Sequence, residues 1–135
     1  MKGELIWLYE NDTYKVYANC EYVYLKDKAK CQFQDQWEKT DKFMVWIYGN
    51  PTGALIMPSN DFVVIVGCGI SIYNIERADI TDYYNDPEDI WWIQAVFQDC
   101  LFDDWRKEFR VVTYNDKDET RVFKFNLDNK SLIEI

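Results

Sequence analysis

The chain has 135 residues, of which 48% are hydrophobic, a length and composition typical of one folded domain rather than a disordered chain. It carries 24 acidic and 15 basic residues, for a net charge of −9, and contains no histidine. This charge disfavours binding to nucleic acid and to anionic membranes. The lack of histidine excludes Ser-His-Asp and Cys-His catalysis and His-ligated metals.

Most of the chain is predicted to form strands, because apolar and polar residues alternate with a period of two. The first strand ends at the turn pair Asn11-Asp12. The second is predicted as one long strand over 13–26. In chain order, the predicted strands cover residues 4–10, 13–26, 43–48, 54–57, 62–75, 90–98, 109–114, 121–127 and 132–135.

Four stretches carry further expectations. Residues 62–75 are the richest in β-branched side chains, so they are predicted to be central, with a bulge or bend at 67–69. Residues 90–98 fit a strand or a helix, and their Trp, Ile, Val and Phe content favours a strand. Residues 27–42 predict a loop or one short helix, and 115–120 a polar hairpin loop.

The predicted fold is mainly β, with residues 1–135 forming a single domain of about eight mostly antiparallel strands. At most one or two short helices are expected. The pattern leaves open a sandwich, an open barrel or a curved meander.

The four cysteines are widely spaced and form no CxxC pair, so neither a zinc ribbon nor a redox motif is expected. Cys20 and Cys68 fall in predicted strands and are expected to be small core residues. The apolar run at 5–9 is too short for a secretory signal, and no stretch approaches the ~20 apolar residues of a membrane span. Free thiols and a cytoplasmic location are therefore expected.

Nearly all the net charge lies in residues 76–104, named here the acidic segment. This segment has nine acidic residues against the single base Arg77, a net of −8, whereas the rest of the chain has a net of −1. Carboxylates beside exposed rings are typical of tight protein interfaces, where charge steers the encounter and buried rings supply affinity. The predicted partner-binding residues are Glu76, Asp79, Asp82, Tyr83, Tyr84, Asp86, Glu88, Asp89, Trp91, Trp92, Asp99, Asp103, Asp104 and Trp105.

The alternative for this segment is structural: its acids solvate a loop while its rings fill the core. If Trp91 and Trp92 lie in a strand, they face opposite sides, and the sequence does not say which is exposed. The acids between Asp79 and Asp89 lack the spacing and the glycine of a calcium-binding EF-hand loop. Gly67-Cys68-Gly69 lacks the third glycine of a nucleotide loop. Hence no catalytic residue, metal or cofactor is expected, and the chain is not predicted to be an enzyme.

A short, acidic, aromatic-rich chain without histidine resembles the immunity proteins of bacterial toxin systems, including those paired with contact-dependent growth inhibition toxins. The resemblance rests on the whole chain and on the acidic segment, since these proteins share no motif and have many folds. It implies a cytoplasmic protein that binds and blocks a cognate toxin domain, often a basic nuclease, whose cleft would accept carboxylates in place of phosphates.

Two other classes of function stay open. One is a carbohydrate-binding or glycosidase-like β domain, which an exposed aromatic row on one flat sheet face would favour. The other is a structural protein whose exposed rings pair with a second copy. The sequence does not distinguish a monomer from a homodimer.

Overall fold

The computed structural model describes residues 4–86, 89–114 and 119–135. Within them lie three four-stranded antiparallel sheets and a short two-stranded hairpin, and no helix. The N-terminal sheet comprises β1 (Ile6–Glu10), β2 (Tyr14–Asn19), β3 (Tyr22–Asp27) and β4 (Lys42–Trp46). The middle sheet comprises β5 (Gly53–Ile56), β6 (Phe62–Gly67), β7 (Gly69–Asn74) and β8 (Asp79–Tyr83). The hairpin is β9 (Asn85–Asp86) with β10 (Asp89–Ile90), and the C-terminal sheet comprises β11 (Ile93–Phe97), β12 (Glu108–Tyr114), β13 (Thr120–Asn126) and β14 (Leu132–Glu134).

The prediction of a mainly β, mostly antiparallel domain is confirmed, and the sheets do not close into a barrel. Each sheet is a simple meander, because neighbouring strands in the sheet are consecutive in the chain. Residues 93–97 form a strand, as favoured, and 27–42 form a loop up to the start of β4. The hairpin connection between β12 and β13 is confirmed by the pairing of Tyr114 with Thr120, although residues 115–118 lie outside the described residues.

Strands β5, β6 and β7 of the middle sheet are buried on both faces, whereas β8 is largely exposed. Val63 and Ile65 pack into a first core with β2, β3 and β4, while Val64 and Val66 pack into a second core with β12 and β13. Because side chains alternate between the two faces of the strand, one strand contributes to both cores. This explains why residues 62–75 are almost continuously apolar. The prediction that this stretch is central is confirmed.

Two stretches predicted as single strands are hairpins. Residues 13–26 turn back at Cys20, which has φ of +54°. The turn reverses the alternation, so that Val23 lies beside Val16 and Ala18 in the first core. The prediction that Cys20 is a core residue is wrong, because Cys20 is exposed at the turn.

Residues 62–75 turn back at Cys68, and Gly67 pairs with Gly69 across the tight turn. Gly69 has φ of +80°, and a Cβ there would lie 2.5 Å from the carbonyl oxygen of Tyr83, so only glycine fits. Cys68 is buried, as predicted. All four cysteines lie among the described residues and are free thiols.

Residues 28–41, named here the strap, cross the outer face of the N-terminal sheet. Beneath them the Lys26 side chain is completely buried, with its ammonium 2.9 Å from Glu38 and 3.0 Å from Asp41. The hydroxyl of buried Tyr17 also donates a hydrogen bond to Asp41. Glu38 further accepts the backbone N–H of Phe33 within the strap. The strap is therefore fixed to the sheet through one buried ion-pair cluster.

Acid is expected to weaken this attachment. Hydrogen bonds from Lys26 and from the backbone of Phe33 and Gln32 lower the pKa of Glu38 from 4.5 to about 2. A depressed pKa contributes stability that is complete above about pH 4.5 and is lost as the pH falls toward about 2. Urea midpoints across that range should show that the stability difference between wild type and Glu38→Gln shrinks as the pH falls. A difference independent of pH would contradict this assignment.

Candidate functional site

A row of exposed aromatic side chains lies on the part of the N-terminal sheet that the strap leaves uncovered and continues onto Tyr48 and Trp92 beside that sheet. We name this row the aromatic face. Its six rings are each between 41% and 59% exposed: Trp7, Tyr22, Phe43, Trp46, Tyr48 and Trp92. Rings of this kind that are about half exposed present roughly 100 Å² each, or roughly 600 Å² together. Without Trp7, which does not adjoin the other rings, the remaining five present roughly 500 Å², an apolar patch of the size typical of an interaction site.

Five of the six exposed rings are neighbours, whereas Trp7 is separated from them by the rings of Tyr17 and Tyr24. Tyr22 lies opposite Trp46 in the β3–β4 pair. The ring of Tyr22 is 6.1 Å from that of Phe43, and the ring of Trp46 is 6.1 Å from that of Tyr48. Tyr48 in turn lies 6.3 Å from Trp92, which comes from the acidic segment.

The surface of the aromatic face is ridged rather than flat. Neighbouring exposed rings cross at 53° for Tyr22 and Phe43, 65° for Trp46 and Tyr48, and 45° for Tyr48 and Trp92. A flat ligand could lie against only one such ring at a time. Side chains of a partner protein could pack into the grooves between them.

One carboxylate orients the centre of the aromatic face. Glu21, in the β2–β3 turn, accepts hydrogen bonds from the indole N–H of Trp46 at 3.1 Å and from the backbone N–H of Gly49 at 2.6 Å. Gly49 packs against the ring of Trp92, to which an added Cβ would lie 3.6 Å away. Glu21 thus holds the Trp46 indole directly and fixes the Gly49 backbone, which lies beside the ring of Trp92.

The predicted rings of the acidic segment divide between core and surface. Tyr83 packs on Phe125 with ring centres 5.2 Å apart, and Trp91 lies 4.9 Å from both Tyr84 and Phe123. These three predicted residues are partly buried and pack against the second core. Trp92 instead points to solvent, which answers the question of which tryptophan is exposed.

The predicted acids near β8 are mostly exposed. Glu76, Asp79 and Asp86 have exposed side chains, and Asp79 lies 3.7 Å from Arg77. Asp82 is exposed, but its carboxylate accepts a hydrogen bond of 2.6 Å from the buried Ser71 hydroxyl. Glu88 and the side chain of Asp89 lie outside the described residues.

The remaining predicted acids lie in the loop between β11 and β12. The Asp103 side chain is only 1% exposed and pairs with Arg110 at 3.0 Å and with Lys124 at 3.2 Å. Asp99 and Asp104 are partly exposed, and each lies within 4 Å of an arginine. Because Arg110 and Lys124 come from outside the acidic segment, they offset part of its charge. Trp105 is exposed on the same loop.

The sequence therefore located one member of the aromatic face, Trp92, and missed the other five. If 13–26 were one strand, Tyr22 would share a face with Val16 and Ala18, which are buried. Residues 43–48 did carry a signal. Apolar side chains occupy every position of this stretch, so if one face is buried, rings such as Phe43, Trp46 and Tyr48 are left on the other face. Apolar tip residues Leu101 and Phe102 were also absent from the predicted set.

A cavity of about 580 Å³ lies between the strap, the N-terminal sheet and the β7–β8 turn. Its charged lining residues are Asp27, Lys30, Lys39, Asp41, Lys42 and Glu76, an equal number of each sign.

Among the described residues, no cluster of three or more Cys, Asp and Glu side chains is arranged to hold a metal ion. The described part of the chain also has no helix long and apolar enough to cross a membrane.

No protein-family model matches the sequence, and no curated protein matches it.

Proposed function

We propose that this protein is an immunity-type protein that binds and neutralises a basic toxin domain, acting in the cytoplasm. The observation that carries the proposal is the aromatic face, in which neighbouring exposed rings lead from β3 and β4 through Tyr48 to Trp92 in the acidic segment. Interfaces are enriched in aromatic anchors, and the strongest contacts cluster in such patches.

The charge of the chain supports a basic partner. A net charge of −9 attracts a basic protein over long distances and repels a second copy of the same chain. The exposed acids of β8 and β9 shortly precede Trp92 in the chain. The carboxylates that attract a basic partner and a ring that contacts it therefore come from neighbouring segments. In a nuclease-like partner, these carboxylates would occupy the place of phosphates.

The test first asks whether the gene directly upstream encodes a secreted toxin. Its toxin domain, or otherwise the protein that this chain captures from its native host and releases in salt, is purified, and its binding kinetics are measured against wild type and variants. Trp46→Ala and Trp92→Ala should each weaken binding about 10- to 100-fold, mainly through faster dissociation. The matched control is Ile133→Ala, which truncates an exposed apolar side chain on β14, in a different sheet. Equal affinity for all variants would contradict a role for the aromatic face.

The charge part of the proposal has its own readout in the same experiment. Exchanging Asp79 and Asp86 together for asparagine should slow association, and added salt should reduce the difference from wild type. The control is Asp128→Asn, since Asp128 is exposed in the β13–β14 turn. An association rate unaffected by salt would exclude electrostatic steering.

An exposed aromatic row on one sheet face also favours a carbohydrate-binding domain. The crossing angles of 45–65° argue for protein over sugar, because sugar rings stack best on coplanar aromatic platforms. A reproducible glycan-array signal that disappears in Trp46→Ala would replace the toxin partner with a carbohydrate.

A further inference from the structure

The loop between β11 and β12 ends in an apolar tip. Leu101 is 83% exposed and Phe102 is 71% exposed, and Trp105 lies beside them at 51%. Leu101 and Phe102 have the highest exposures among the described large hydrophobic residues. Exposing such side chains is unfavourable in water, so their position requires another explanation than packing within this chain.

The backbone below the tip is held rigidly. The Asp103 carboxylate accepts the backbone N–H of Asp99 at 2.8 Å and the guanidinium of Arg110 at 3.0 Å. The Asp99 carboxylate accepts the N–H of Leu101 at 2.9 Å, and its carbonyl accepts the N–H of Asp103 at 2.9 Å. These bonds fix both ends of the turn that carries Leu101 and Phe102.

Side chains from outside the turn strengthen it. The amide of Gln98 donates to the carbonyls of Trp105 at 3.0 Å and Glu108 at 2.8 Å. The Glu108 carboxylate accepts the N–H of Asp104 at 2.7 Å, and Lys124 donates to the carbonyl of Phe102 at 3.4 Å. A loop ordered in advance loses little conformational entropy on binding, which raises affinity.

We propose that Leu101 and Phe102 form a preorganised prong that inserts into an apolar pocket on the basic protein partner. The inference rests on the proposed function, because it names a second contact with the same partner. The prong lies at the opposite end of β11 from Trp92, a separation of roughly 15–20 Å for a five-residue strand. One interface of standard size can span that distance.

The net charge of the chain, rather than the charges at the tip, favours a basic protein over other occupants. At the tip the exposed charges are balanced, because Asp99 and Asp104 are 30% and 37% exposed while Arg106 and Lys107 on the same loop are 71% and 41% exposed. The net charge of −9 attracts a basic protein and disfavours an anionic lipid surface and a second copy of the chain.

The test compares Leu101→Ser/Phe102→Ser with the matched control Ile133→Ser/Ile135→Ser, which changes two exposed apolar residues at the other end of the chain. With the toxin domain, the prong variant should dissociate about 10-fold faster or more, at an unchanged association rate, and the control should behave as wild type. If the prong variant dissociates like wild type while Trp46→Ala weakens binding, this inference is overturned and the proposed function stands. If wild type fails to bind any basic protein partner, both fall.

Three further measurements test the identity of the occupant and the rigidity of the loop. Sedimentation with vesicles of phosphatidylcholine, with and without phosphatidylserine, should show no binding, and binding lost in the prong variant would assign the tip to lipid. Light scattering should show the same mass for wild type and the prong variant, and dissociation of an oligomer would assign it to a second copy. Amide hydrogen exchange at Leu101 and Asp103 should be slow without any partner, and rapid exchange would remove the preorganisation argument.

Discussion

Replacing Lys26 with alanine is expected to lower the free energy of unfolding by about 3–5 kcal/mol, because removing one partner of a buried ion pair leaves the other charge uncompensated. Asp41 has a side chain only 1% exposed and would lose its cation. Burial disfavours the charged ammonium of Lys26, yet hydrogen bonds to Glu38 and Asp41 outweigh burial and raise its pKa above the usual range. Lys26 is therefore charged in the folded protein at neutral pH.

Urea unfolding of wild type and Lys26→Ala measures this effect. Tyr17→Phe is the matched control, because it removes one hydrogen bond to Asp41 and keeps the ion pairs, so about 1 kcal/mol is expected. The combined Lys26→Met, Glu38→Gln and Asp41→Asn variant should recover part of the loss, since it removes the charges together. Lys26→Ala should also speed tryptic cleavage at Lys30 and Lys39 in the strap. A loss below 1 kcal/mol would contradict a buried ion pair.

The sequence predicted the strand content but not the buried lysine. Period-two alternation follows directly from burial of one sheet face, so most strands could be located from it. The turn at Cys20 has neither glycine nor proline, and a positive φ at a cysteine has no sequence signal. Because the turn was not predicted, Lys26 was placed at the end of one long strand. The sequence also did not indicate that the strap would lie over Lys26.

The candidate site was predictable only where chain neighbours are also neighbours in space. Trp92 was found because it lies within the acidic segment. The other rings of the aromatic face come from β1, β3, β4 and the residue Tyr48, which pairing in the sheet brings together. Counting charge along the chain also could not reveal that Asp103 is neutralised by Arg110 and Lys124, because those bases lie on the strands that follow.

Replacing Asp103 with alanine is expected to be the second largest loss, about 3 kcal/mol, because Arg110 and Lys124 would remain partly buried without their shared carboxylate. Burial alone would raise the pKa of Asp103, but the backbone N–H of Asp99 and the side chains of Lys124 and Arg110 hold it below its usual value of 3.8. Its stabilising effect is therefore present above that pH and is lost as the pH falls below it.

Urea unfolding at neutral pH should separate Asp103→Ala from Asp128→Ala, since Asp128 is 71% exposed and its ion pair with Lys107 is expected to contribute less than about 1 kcal/mol. The Asp103 variant should also show faster amide exchange at Asp99, whose N–H loses its acceptor. Equal stability of the two variants would mean that the carboxylate does not organise the loop. In that case the exposed positions of Leu101 and Phe102 would have no rigid support, and the prong would lose its energetic basis while the aromatic face would be unaffected.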